Sequence, residues 1–127
     1  MLVNTPVSLG ELVDKLSILK VKKENITDEK KLIEVNKELD ILELNLIKHV
    51  TKEEIDNYLN ELIDINSKLW RIEDDIRDCE RNKQFDQKFI ELARSVYFTN
   101  DKRAKIKLDI NKHFGSELVE VKSYEKY

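Results

Sequence analysis

The chain has 127 residues, 39% of them charged, with a net charge of −3 and an isoelectric point near 5.5, a balance that argues against duplex DNA or an anionic membrane as main partner. Gly10 and Gly115 are the only glycines and Pro6 the only proline, so the stretch between the glycines lacks the punctuation that hairpins and sandwiches need. The length suits one domain, 1–127, and the class is all-α: an antiparallel bundle of about four helices, with a long central helix and an extended C-terminal tail.

The first helix is announced by "SLGE", where Ser8 and Glu11 have the spacing of a capping box. Leu9, Leu12, Leu16, Leu19 and Ile26 form one stripe, which predicts a helix over 9–24. The second starts at Thr27 or Asp28, carries Leu32, Val35, Leu39, Leu42 and Leu46 on one side, and ends near His49. "TKEE" comes directly after it, with Thr51 and Glu54 as another capping box.

The third helix is predicted over 52–82, with Ile55, Tyr58, Leu62, Ile65, Leu69, Ile72, Ile76 and Cys79 in line. At 1.5 Å per residue it spans roughly 45 Å, long enough for a spine. Asp86 can cap the fourth helix, 87–113, with Phe85 and Ile90 placed as a hydrophobic staple and Gly115 as its left-handed end. The tail "SELVEVKSYEKY" is expected to lie extended along the bundle.

"TND", residues 99–101, sits inside the fourth helix although all three residues favour caps and turns. If the helix is continuous, Phe89, Val96 and Phe114 fall on one line, and Asn100, Arg103 and Lys107 lie within about 40° of it. Asn100 then faces inward and Asp101 pairs along the surface with Lys105. The third helix carries a second line of Leu59, Ile63, Asn66, Trp70, Glu73 and Arg77, and the first a shoulder of Glu11, Lys15 and Lys22.

Where these shoulders meet, Lys15, Arg77, Arg103 and Lys107 converge with Asn66, Asn100, Asn111 and Trp70. Unpaired charges in a core cost several kcal/mol each, so they need partners. Three readings fit. Glu11, Glu73 and Asp74 neutralise the cations in a structural network, or the shoulders are solvated edges of wide helix faces; or an anionic small molecule supplies the charge, with Arg for bidentate contacts, Trp70 as a stacking wall and Glu73 among the site residues; or the polar positions set the register of a homodimer through the third helix.

His49 and His113 fall at helix C-termini, where an imidazolium complements the dipole, and Cys79 reads as a buried small hydrophobe. No metal site and no cofactor is expected. "DKRAKIK" after Tyr97 and Phe98 offers a minor reading as a single-strand contact. No apolar run reaches a membrane span and the N-terminus has no signal-peptide pattern, so a cytoplasmic location is expected.

The strings "GELVDKLSILKVK" (10–22), "INSKLWRIEDDIR" (65–77), "FIELARSVYFTNDKRAKIKLDIN" (89–111) and "VKSYE" (121–125) resemble a small helical family of bacteria and phages, a domain of unknown function, over nearly the whole chain. The resembling strings include Glu11, Asp14, Lys15, Asn66, Trp70, Glu73, Arg77, Tyr97, Asn100, Asp101, Arg103 and Lys107. The resemblance implies no activity, but its overlap with the helix-face residues favours a site.

The all-helical chorismate mutases offer a looser analogy, a bundle lined by Arg, Lys and Glu around a dicarboxylate, without matching motifs. The expected function is a small helical binding or interaction module whose cationic patch holds an anionic ligand. The alternative is a small enzyme acting on a phosphate or carboxylate metabolite in the same place.

Overall fold

The chain forms four helices, α1 (Leu9–Asn25), α2 (Glu29–Leu46), α3 (Lys52–Arg81) and α4 (Gln87–Phe114), and no strand, in a computed structural model that describes residues 1–127. The helices account for 73% of the residues, well above the third that is usual for globular domains.

Short polar side chains start each helix by taking a backbone N–H that has no partner inside it. Ser8 Oγ accepts from the Glu11 N–H at 3.1 Å, Asp28 from Lys31 at 3.0 Å, Thr51 from Glu54 at 3.3 Å and Asp86 from Lys88 at 3.2 Å. The acidic half of the capping boxes acts otherwise than expected. Glu54 accepts from the Thr51 hydroxyl, and Glu11 turns away from Ser8 to meet Lys107 on α4, because a buried ammonium is the stronger partner. The staple does not form either: Phe85 and Ile90 are both exposed, and Phe85 packs edge-on against Phe89 at 5.4 Å. Gly115 ends α4 with φ +68°, and its N–H bonds back to the Asn111 carbonyl.

α3 is the longest helix, but the one that packs against all three others is α1; α2 rests on α1 alone. Two sets of side chains are therefore buried on α1. Leu12, Leu16 and Leu19 join Val35, Leu39 and Leu46 of α2, Ile55 and Leu62 of α3 and Ile110 of α4 in one cluster. Gly10, Val13, Asp14, Ser17 and Val21 form a second buried line. Leu16 and Leu62, both sealed from solvent, each contribute roughly 1.5–3 kcal/mol.

α4 runs antiparallel to α1, with residue 10 beside residues 107 and 111 and residue 14 beside 103 and 107. The approach is close at Gly10, where an added Cβ would overlap the Lys107 carbonyl oxygen and lie 3.0 Å from its carbonyl carbon. The glycine makes room for the backbone of α4, which sets the height at which α4 side chains meet Asp14.

Candidate functional site

"TND" does not interrupt α4. Thr99 is buried, while Asn100 and Asp101 are exposed; further along, Lys107, Ile110 and Asn111 are buried, so the inward side of α4 is broad and takes in both the Thr99–Ile110 line and Lys107 on the line of Phe89 and Val96. Asn100 thus stands on the wall of a groove and not in the core, a correction that follows from α4 facing both α1 and α3. Asp101 does not pair with Lys105: it accepts from the Tyr127 hydroxyl, and Lys105 pairs with Asp109 at 2.9 Å.

The centre of the site is Asp14, a carboxylate fully buried on α1. Arg103 of α4 donates to it through Nε at 3.0 Å and through Nη2, the bidentate geometry that a guanidinium favours. Asn66 of α3 donates from Nδ2 to Asp14 Oδ1 at 2.9 Å and to Ser17 Oγ at 2.7 Å, while the Ser17 hydroxyl donates to the Asp14 carbonyl at 2.6 Å. One buried acid thereby ties three helices together.

Lys107, also buried, extends the network. Its Nζ lies 2.8 Å from Glu11, 2.7 Å from Glu120 of the tail and 3.8 Å from Asp14, and Glu120 in turn holds Lys122 at 2.7 Å. Burial alone would lower the Lys107 pKa, but its hydrogen bonds to Glu11 and Glu120, with the charge of Asp14, raise it above the ordinary lysine value. The hydrogen bond to Asp14 raises Arg103 likewise. Glu120 is lowered to about 2, mainly by its hydrogen bond from Lys107 and then by that from Lys122. Three cations, Arg103, Lys107 and Lys122, face three carboxylates, Asp14, Glu11 and Glu120, so the network, with Asp14 and Lys107 as its buried members, is neutral within the chain.

Above this network α1, α3 and α4 leave an open cleft of about 530 Å³ with Ile18, Val21, Leu69 and Val96 among its lining residues. Asn66, Trp70, Glu73, Asp74, Arg77, Asn100 and Arg103 line it as well, so most of the site residues picked out by helix geometry meet there, with two acids among them. Trp70 is half-buried there. Glu73 and Arg77 pair with each other along the exposed side of α3, so Glu73 takes no part in neutralising the α4 cations, which Asp14, Glu11 and Glu120 do instead. Arg103 separates this cleft from a second groove of about 670 Å³ between α4 and the tail, which Lys107, Glu120, Lys122 and Tyr124 line.

Lys15 is not part of either. It is exposed in a groove bordered by Leu12, Ile41 and Asn45, because α1 turns its Asp14 side to α4 and its Lys15 side away. Nor does it pair with Glu11. Asp14, Ser17 and Glu120 are the members that reasoning from helix faces missed. The line Gly10, Val13, Ser17, Val21, small residues three or four apart, was a legible signal for a second buried face containing Asp14. Glu120 had none, because a tail has no period.

Cys79 is buried and free. No group of three or more His, Cys, Asp or Glu side chains is placed to hold a metal ion. In the basic run 101–107 Arg103, Lys105 and Lys107 sit in ion pairs, while Lys102 is exposed and unpaired.

Fold and network together define a small all-α module with an apolar core, a buried polar network beside it and an amphipathic cleft. The chain belongs to the family of unknown function DUF6165, which it matches over residues 3–127. Comparison with curated proteins gives no match, and comparison with solved structures gives none. No helix is long and apolar enough to cross a membrane.

Proposed function

We propose that the protein is a small helical binding module and that the cleft between α1, α3 and α4 receives an anionic small molecule, a phosphate or carboxylate. The observation that carries this reading is the gathering of Asn66, Trp70, Arg77, Asn100 and Arg103, from helices distant in sequence, on one open cleft with apolar side chains in its wall. Most small-molecule sites have this mixture of apolar lining and few placed polar groups.

Arg103 supports it because Asp14 engages Nε and Nη2, which leaves Nη1 without a partner in the chain and holds the guanidinium plane still. Arg77 supports it because its pair with Glu73 is exposed, and such pairs are worth under about 1 kcal/mol, so an anion displaces Glu73 at little cost. Trp70 supplies a flat face for the body of the ligand.

The test is a thermal-shift panel of phosphate, sulfate, citrate and phosphorylated metabolites, since a ligand that binds only the folded state raises its melting temperature. Arg77→Ala is the selective variant: it leaves the buried network intact and should abolish any shift. A flat panel with the unsubstituted protein would sink the anion site.

A further inference from the structure

The outer side of α2 carries a second pattern, independent of the cleft. α2 packs on α1 alone through Val35, Leu39 and Leu46, and the opposite side exposes Ile33, Leu44 and Ile47, each more than 60% accessible. With Lys30, Lys37 and Asp40 these residues, the last of them the C-cap of α2, have a spacing of 3, 4, 3, 4 and 3, that of a coiled-coil seam with half of its positions charged. The large apolar side chains of α3, the expected place of a homodimer contact, are all less exposed than Ile33, Leu44 and Ile47.

We propose that α2 pairs with α2 of a second copy of this chain, antiparallel, about a two-fold axis that passes between residues 38 and 39. The argument for a second copy is self-complementarity. In that register Ile33 meets the other copy's Leu44, Lys37 meets its Asp40, and the stem of Lys30 covers its Ile47, each layer occurring twice by symmetry. A parallel pairing would set Lys37 against Lys37 and Asp40 against Asp40. Lys37 and Asp40 are exposed and make no ion pair within their own chain, so both are available. One helix pair buries less than a standard interface, so weak association, in the micromolar range, is expected.

Sedimentation velocity on the full chain from about 1 to about 300 μM brackets that range. A monomer–dimer equilibrium is expected, and Leu44→Glu should abolish it with unchanged helical circular dichroism. Lys37→Glu alone, or Asp40→Lys alone, places like charges opposite each other and should weaken association about tenfold or more. The double variant, Lys37→Glu with Asp40→Lys, should restore it, and the two single variants should associate when mixed. A protein that stays monomeric throughout overturns the proposal. So does a dimer that survives Leu44→Glu, or one in which the charge exchanges neither weaken nor restore association.

Discussion

Arg103 grips Asp14 across 89 residues of sequence, and this pair closes α4 onto α1. Asp14 is sealed from solvent, whereas the Arg103 side chain keeps 27% of its exposure, so the acid bears the larger desolvation cost and depends on the pair. Arg103→Ala should therefore lower the unfolding free energy by about 3 kcal/mol, read from urea midpoints, because it strands a buried carboxylate. Replacing both partners, Asp14→Asn with Arg103→Met, should recover most of that loss, because the asparagine keeps an oxygen for the Asn66 amide without a charge. A double variant as unstable as the single would show that packing, not stranded charge, sets the cost.

Gly10→Ala tests the close approach of α4. The new methyl would overlap a backbone oxygen, which cannot swing aside as a side chain would, so α4 must shift as a whole. The expected loss is about 1–3 kcal/mol, the range of overpacked cores, although alanine is the better helix former. Chemical denaturation measures it, and a neutral or stabilised variant would contradict the packing.

Glu120 should give the tail an acid-sensitive contribution. Its folded pKa, about 2, lies below the ordinary 4.5, so its stabilisation is fully present above 4.5 and fades as pH falls from 4.5 toward 2. The side chain is about one-third exposed, so solvent screening limits the effect to at most about 1 kcal/mol. Glu120→Gln should be less stable than the unsubstituted protein at about pH 7, with the gap narrowing toward about pH 3. A gap that is constant with pH would assign the loss to something other than ionisation. Lys107 has the opposite sign: its raised pKa keeps its stabilisation intact below the ordinary value of 10.5 and loses it only in stronger alkali.

Lys83 stands in the turn between α3 and α4 with φ +53°, a left-handed backbone that costs a side-chain-bearing residue roughly 1–2 kcal/mol. Part of that is regained in Lys83→Gly, less the entropy of a freer unfolded chain. A rise of up to about 1 kcal/mol is expected by thermal or urea unfolding, and a clear loss would mean that the exposed Lys83–Glu80 pair matters more than the backbone.

The helices were legible because their signals are local. Ser8, Asp28, Thr51 and Asp86 each cap a helix through contacts two or three residues away, and Gly115 ends α4 through its own φ, so boundaries could be read from the chain one window at a time. The identity of the polar residues on α3 and α4 was legible for a similar reason, since helical spacing alone puts Asn66, Trp70 and Arg77 on one line. Their partners were not. Whether Arg103 meets Glu73, a ligand or Asp14 depends on how α4 is rotated and how close it comes to α1, and periodicity fixes neither. Tertiary packing decided both: α1 lies against three helices, which buries a second face and with it Asp14, and Gly10 lets α4 approach until Arg103 and Lys107 reach that acid. The tail's Glu120 completes the charge balance from a segment without secondary structure, through a contact between positions 107 and 120 that only the folded bundle brings together.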